Sequence, residues 1–232
     1  MSDKAPESSV KAVVVVVIIA AICAAGLAFV KQITEEPIAE ARRQETLAAL
    51  QRVVPAGCEI KLEGKLVRPE GADEGAAETK LIFPGYDADG QLCGIAVRSR
   101  NDKGYSGKIL VVSGYSDLES RETLKLNRIY VTEHAETPGL GSLITNLQDE
   151  EPATWGTDRS KVYGLNFLDR LVATLSWKVA KSAAAGENDV AAVTAATISS
   201  RAVAGAVQVA ASLVSEDLDG LKAAFASTAR SE

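Results

Sequence analysis

The chain is poor in the residues that build metal and redox centres unaided. Among 232 residues it has one histidine, His134, and three cysteines, Cys23, Cys58 and Cys93. No two cysteines stand in a Cys-x-x-Cys pair, which gives no basis for a zinc or iron–sulfur centre made by this chain alone. A basic surplus is also missing: 25 Lys and Arg face 31 Asp and Glu, a formal charge of -6. Phosphate-backbone binding needs a basic face, so no nucleic-acid partner is expected. With 47% hydrophobic and 24% charged residues, the composition is that of a globular protein rather than a disordered one. Cys58 and Cys93 allow two readings, a disulfide in an oxidising compartment or two buried thiols, because spacing does not establish geometry.

One stretch lacks charge altogether. From Ala12 to Val30 there is no charged or strongly polar residue, and Lys11 and Lys31 bracket the run. At ~1.5 Å rise per residue this makes about 28 Å of helix, close to the ~30 Å hydrocarbon core of a bilayer. Its second half holds small residues (Ala20, Ala21, Ala24, Ala25, Gly26) that let another helix approach closely. A cleaved signal peptide is the competing reading, but its apolar stretch is usually shorter and its leading region basic. Here Asp3 and Glu7 cancel Lys4 and Lys11. Ile22 before Cys23 argues against a lipoprotein. The expectation is a tail over residues 1–11 and a retained transmembrane helix over 12–30. Lys and Arg are similar in number on the two sides, so charge leaves the orientation open.

Beyond the span, Pro37 to Val54 reads as an amphipathic helix, with Leu47, Leu50 and Val54 on one face. Pro37 suits a first helical turn, and Pro55 with Gly57 ends the element. Residues 31–56 are therefore expected to form a helical stalk, and 57–232 the domain. Residues 58–68 and 80–84 read as short strands, with an acidic Gly/Ala loop from Pro69 to Thr79 between them. Asp87-Ala88-Asp89-Gly90 before the apolar run Leu92–Val97 predicts a hairpin. Lys108–Ser113 and Asn127–Glu133 are further predicted strands, and Asn166 to Ala180 is expected to be helical. The last helix begins near Ser199, with Val203, Ala206, Val207, Ala210, Leu213 and Val214 on its apolar face. Thr197, Ser199 and Ser200 at its start suggest N-cap chemistry. Strands followed by helices imply an α+β domain with a mostly antiparallel sheet and flanking helices.

Two segments could carry chemistry. The first is His134-Ala135-Glu136-Thr137-Pro138-Gly139-Leu140-Gly141, after a predicted strand. Its glycines and proline force a tight loop whose backbone can come close to a ligand; an ordinary turn is the plain alternative. The second is Thr194-Ala195-Ala196-Thr197-Ile198-Ser199-Ser200. Hydroxyls and uncommitted N–H groups converge there at the positive end of a helix dipole, which favours a phosphate; simple capping is the plain alternative. His134 could tune a cofactor or carry a proton, and the preferred reading is that it orders its loop. Glu136 could likewise be an acid–base group or a loop residue bonded to backbone. No nucleophilic triad or metal-ligand cluster is visible.

The eight-residue loop is identical to the HxETPGLG signature of the FMN-binding domain in the RnfG (RsxG) and NqrC family, and the second segment resembles the family's SGAT(I/L)(S/T)S motif. Gly104-Tyr105-Ser106-Gly107 before a strand adds to the likeness, which covers nearly the whole chain. The resemblance implies FMN esterified through its phosphate to Thr197. The flavin ring would lie toward Glu136, Thr137, Pro138, Gly139, Leu140 and Gly141, with His134, Gly104, Tyr105, Thr194, Ala195, Ala196, Ser199 and Ser200 as further cofactor-binding positions. Where the family typically has Ser-Gly-Ala-Thr, this chain has Thr194-Ala195-Ala196-Thr197. The aspartate the family places six positions before the acceptor is Ala191 here, with Asp189 two residues away. Ala195 adds a methyl that crowds a backbone needing positive φ.

The resemblance also implies an electron relay in an Rnf-type ion-translocating ferredoxin:NAD oxidoreductase, rather than a self-sufficient enzyme. It implies a flavin transferase that attaches the cofactor, and neighbours among RnfA, RnfB, RnfC, RnfD and RnfE. It further implies a single-pass protein of the inner membrane with its domain on the periplasmic side. An NqrC-like subunit of a sodium-pumping NADH:quinone reductase is a rival, and Ile198-Ser199-Ser200 leans toward RnfG. A flavin-free anchored assembly module is a third reading, favoured by the altered threonine motif.

Overall fold

The structure is a computed structural model and describes residues 7–60, 65–66, 81–181 and 185–228. The expected loop from Pro69 to Thr79 lies outside the described residues. The chain divides into two units, Met1–Glu45 and Thr46–Glu232.

The described residues of the first unit are helical. Helix α1 (Glu7–Val53) begins in it and ends in the second unit, and Pro37 lies inside the helix rather than at the start of a separate one. Proline removes one intrahelical hydrogen bond, that to the Ile33 carbonyl, which a long helix can lose without ending. The segment Val13–Val30 presents its large apolar side chains unburied: Val16, Ile22 and Phe29 are each more than half exposed. This part is long and apolar enough to cross a membrane.

In the second unit, alternation along each strand assigns side chains to two faces of one sheet. The described strands are β1 (Glu59–Ile60), β2 (Lys65–Leu66), β3 (Leu81–Tyr86), β4 (Leu92–Gly104), β5 (Gly107–Ser116), β6 (Lys125–Glu133) and β7 (Arg170–Leu171). They pair antiparallel in the order β1-β3-β4-β5-β6-β7, with β2 also on β3. The β3–β4 turn is organised by Asp87, whose carboxylate accepts from the N–H groups of Asp89 and Gln91 at 3.0 and 2.8 Å.

Ile95, Val97, Ile109 and Val111 point to one face, where they meet helices α2 (Thr197–Glu216) and α3 (Leu218–Thr228). Ala96 and Val112, between them, point to the other face and pack with Ala49, Leu50 and Val53 from the last turns of α1. The sheet is thus covered on both sides, and the α+β class with an antiparallel sheet and flanking helices is borne out. Of the face of α2 expected from its periodicity, Val203, Ala206, Val207, Ala210 and Val214 are buried, and Leu213 at its margin is partly buried against the same core. Fully burying a valine contributes roughly 1.5–3 kcal/mol. Helix α3 carries the same signal in a shorter form, Leu218, Leu221 and Phe225 at i, i+3 and i+7.

Cys58 and Cys93 form a disulfide with Cα atoms 6.0 Å apart, while Cys23 is free and exposed. Of the two sequence readings, the bonded one holds.

The stretch expected as a helix from Asn166 to Ala180 is not one. It contains β7, a short 3₁₀ turn Val172–Thr174, and strand β8 (Val179–Lys181), which pairs in parallel with β9 (Val190–Ala192). Asp169 and Trp177 stand at φ 50° and 58°, and each such residue ends a right-handed helix. Tertiary pairing takes the rest: Arg170 and Leu171 join the edge of β6.

Candidate cofactor site

The long connection from β6 to β9 brings the two motif segments together. At its start, His134 Nδ1 accepts from the Glu136 N–H at 3.2 Å, which folds the chain back on itself immediately after β6. The loop then turns through Gly139 at φ 74°, with Gly139 N–H donating to Ser142 Oγ at 2.9 Å. His134, expected among the cofactor-binding positions, makes this bond within the loop and does not line the cleft.

At the other end, β9 leads through a turn into α2. Ala195 stands at φ 63°, the left-handed region in which an alanine is strained, so the methyl does sit where positive φ is required. The N-cap position is Ala196, which has no side chain to cap with. The expected hydroxyl capping is absent because Thr197, Ser199 and Ser200 all lie inside the helix, beyond the cap position, and the two serine hydroxyls are used elsewhere. Ser199 Oγ donates to Glu136 Oε2 at 2.7 Å, and Ser200 Oγ accepts from the Val193 N–H while donating to the Ala196 carbonyl, both at 3.0 Å. The Ser200 amide is the first to find a helical carbonyl, that of Ala196. The N–H groups of Thr197, Ile198 and Ser199 precede it and have no intrahelical acceptor, as at any helix start.

Between these ends lies a cleft of about 560 Å³, within the range of small-molecule sites. Tyr105, Glu136, Thr137, Leu140, Gly141, Ala195, Ala196, Thr197, Ile198 and Ser199 line it. Three segments remote in sequence therefore share one cavity. Tyr105, Leu140 and Ile198 stand 70%, 48% and 48% exposed at its mouth. Glu136 is 5% exposed and Ser199 1%. Of the other expected positions, Gly104 lies beside Glu136, Pro138 and Gly139 form the outer bend of the loop, Thr194 is exposed on the turn, and Ser200 is buried under it. A larger and more open depression of about 870 Å³ beside Arg52, Cys93, Asp117 and Arg128 contains none of the motif residues.

The donor set suits FMN. Free amides at the N-terminal end of α2 and the half-exposed Thr197 favour an anionic phosphate, and the apolar mouth suits a planar ring.

Several residues that support this geometry carry no sequence signal. Tyr163 is fully buried and donates to the Ser200 carbonyl at 2.6 Å. Burial pushes its phenol well above the ordinary tyrosine range, so it remains a neutral donor. Asn166 grips β9 from the side: its Oδ1 accepts from the Ala191 N–H at 2.8 Å and its Nδ2 donates to the Ala191 carbonyl at 3.2 Å. Asp189 is committed to its own loop, accepting from Ser176 Oγ at 2.6 Å and the Gly186 N–H at 3.1 Å. The Ser176 bond is the first reason its carboxyl sits below the usual aspartate range, followed by the Gly186 bond. Among the described residues no group of His, Cys, Asp and Glu is placed to hold a metal ion.

Comparison with known proteins gives matches over both units. The FMN-binding domain family matches residues 104–212, and the RnfG N-terminal region matches residues 1–53. A Methanosarcina acetivorans protein, named as a subunit of an ion-translocating oxidoreductase complex, is 29% identical over 93% of this chain and 98% of its own length. Its namesake from Shewanella amazonensis is 30% identical over 81% of this chain and 80% of its own. A subunit of the Na(+)-translocating ferredoxin:NAD(+) oxidoreductase complex of Acetobacterium woodii is 24% identical over 82% of this chain and 84% of its own. Among solved structures, NqrC of Shewanella oneidensis superposes with a TM-score of 0.44 at 19% identity, covering 62% of this chain and 61% of that one.

Proposed function

This chain belongs to the RnfG family, whose members are subunits of ion-translocating oxidoreductase complexes, and carries the family's FMN-binding domain; from that premise we propose that it relays electrons through FMN held covalently on Thr197. The observation that carries this reading is the meeting of the 104–107 turn, the 134–141 loop and the start of α2 around one cleft. When bound, FMN supplies one-electron redox chemistry that no side chain here offers. The chain's own part is to hold and orient. Thr197 presents its hydroxyl for a phosphoester. The free amides of the first turn of α2 balance the remaining phosphate charge. Tyr105, Leu140 and Ile198 supply apolar cover for a planar ring at the mouth of the cleft, to which the Glu136–Gly141 loop also contributes Glu136, Thr137 and Gly141. His134 shapes that loop and Ser200 anchors the turn from below. Tethering keeps the effective concentration of the cofactor high and prevents its loss.

The test is fluorescence of the denatured full-length chain on a gel, after coexpression with a flavin transferase. The wild-type band is expected to fluoresce and a Thr197→Val band to be dark. A wild-type chain of unmodified mass would refute covalent attachment.

In this proposal residues 12–30 of α1 form a single-pass anchor and the domain faces the periplasm. The Cys58–Cys93 disulfide supports an oxidising side. RnfA, RnfB, RnfC, RnfD and RnfE are the proposed neighbours, in a complex moving electrons between ferredoxin and NAD. The match of residues 1–53 to the RnfG N-terminal region, together with relatives named for ion-translocating oxidoreductase complexes, supports this over an NqrC-like role. Mass spectrometry of copurifying subunits distinguishes the two. The flavin-free reading draws on Ala195, whose positive φ makes the altered motif a strained one.

A further inference from the structure

We propose that Glu136 is the positioning residue of this site: a buried carboxylate brace, accommodated by Gly104 and Gly141, that sets where Thr197 stands relative to the 137–141 loop. The inference rests on the FMN reading for its consequence but not for its geometry.

Glu136 joins three segments that are far apart in the chain. Oε1 accepts from the Ser106 N–H at 3.3 Å, across 30 residues, and Oε2 accepts from Ser199 Oγ at 2.7 Å, across 63. Its own N–H is held by His134, so the brace is fixed at its root as well as its tip. Ser199 lies two residues after Thr197 in the first turn of α2, so tying its hydroxyl ties the position from which Thr197 projects.

Two neighbouring glycines leave room for the carboxylate, and Gly141 is explained by it. Neither Gly104 nor Gly141 has a positive φ, so conformational freedom does not account for them. Space does. A Cβ on Gly141 would stand 2.6 Å from Glu136 Oε2, 2.8 Å from Glu136 Cβ and 3.1 Å from Ser199 Oγ. A Cβ on Gly104 would run first into the backbone carbonyl of Gly107, its hairpin partner, and would also stand 2.7 Å from Glu136 Oε1, so the turn itself already requires glycine there and the carboxylate occupies the space beside it. The last glycine of the Glu136–Gly141 loop is thus a cavity for the first residue of that loop. A carboxylate this deep is costly unless donors meet it, and removing it strands two donors in turn. Among the described residues no lysine or arginine pairs with it, so the brace works through hydrogen bonds.

The test uses the full-length chain in detergent with four variants: Glu136→Gln, Glu136→Ala, Ser199→Ala and Gly141→Ala. Glutamine preserves both contacts without charge, its oxygen accepting from Ser106 and its amide donating to Ser199. The first readout is amide hydrogen exchange at Ser106, Ser200 and Arg201 in chain made without the transferase. The second is the rate of FMN attachment once transferase is added, with the visible circular dichroism of the product. Misplacing reacting groups by 1 Å can cost ~10²-fold. Glu136→Ala and Gly141→Ala are expected to speed exchange at the three amides and to slow attachment, each by about tenfold or more. Exchange in β4–β6 is expected to stay unchanged. Ser199→Ala is expected to loosen Ser200 and Arg201 but not Ser106. Glu136→Gln is expected to stay within about twofold of wild type in rate, with the wild-type dichroism. The brace is overturned if Glu136→Ala keeps wild-type exchange and attachment, or if Glu136→Gln fails as Glu136→Ala does. A wild-type chain that takes up no FMN would instead overturn the reading of the site, and exchange would then decide the brace alone.

Discussion

Reducing the Cys58–Cys93 disulfide is expected to weaken the second unit by an amount set by its place in the chain. The bond joins the segment after α1 to strand β4 across a sequence separation of 35. In the chain-entropy account, closing a loop of that length costs the unfolded state about 3.8 kcal/mol at 25 °C. Comparing the same chain with and without a phosphine reductant leaves the packing of the two sulfurs almost unchanged, which a pair of alanine substitutions would not. In a unit of this size each kcal/mol moves the melting temperature by about 2–4 °C, so reduction should lower it by roughly 8–15 °C. Urea unfolding in detergent, followed by tryptophan fluorescence, gives the free energy directly, and the denaturant slope should rise as the reduced chain expands. A loss below about 1 kcal/mol would refute the cross-link as a constraint on the unfolded state. Alkylation of two thiols in unreduced protein would refute the bond itself.

Further outcomes follow from single contacts. Ala195→Gly relieves a left-handed alanine and should stabilise the chain by about 0.5–1 kcal/mol after the entropy cost of glycine; a destabilised variant in the same urea assay would contradict the strain. Asn166→Ala strands the buried Ala191 N–H and carbonyl and should cost about 3 kcal/mol, whereas Tyr163→Phe, which loses one neutral donor, should cost nearer ~1 kcal/mol. Asp149 has its pKa lowered first by the hydrogen bond from Tyr130 and then by Arg52. Because the folded value lies below the unfolded one, its contribution is complete above the ordinary aspartate range and disappears as pH falls through the folded value. A Tyr130→Phe variant should therefore titrate Asp149 at higher pH by NMR, and an unmoved titration would exclude Tyr130 as the cause.

The candidate site was more legible than the scaffold around it. The Glu136–Gly141 loop and the Thr197 segment were readable as a glycine-bearing turn and a hydroxyl-rich helix start because those are local patterns, while their joint reading as a cofactor site came from the family resemblance. The hairpin at Asp87–Gly90 and the apolar face of α2 were readable for the same reason, since their periods and turn residues act within a few positions. The stretch from Asn166 to Ala180 misled because its apolar residues serve contacts with β6, β9 and α2 rather than one helical face. Tyr163 and Asn166 left no pattern, since the bonds by which they hold α2 and β9 go to backbone 25 or more residues away.

What the amino-acid order determined alone was therefore whatever depends on neighbours: the uncharged span before Lys31, the strand alternation, the turns, and the two motif segments. Only the tertiary structure decided that Cys58 and Cys93 meet, that the serines of the second motif leave capping to brace Glu136 and Val193, and that Gly141 is a space rather than a bend. Those outcomes depend on which distant atoms arrive within a few ångströms, and spacing along a chain carries no record of that distance.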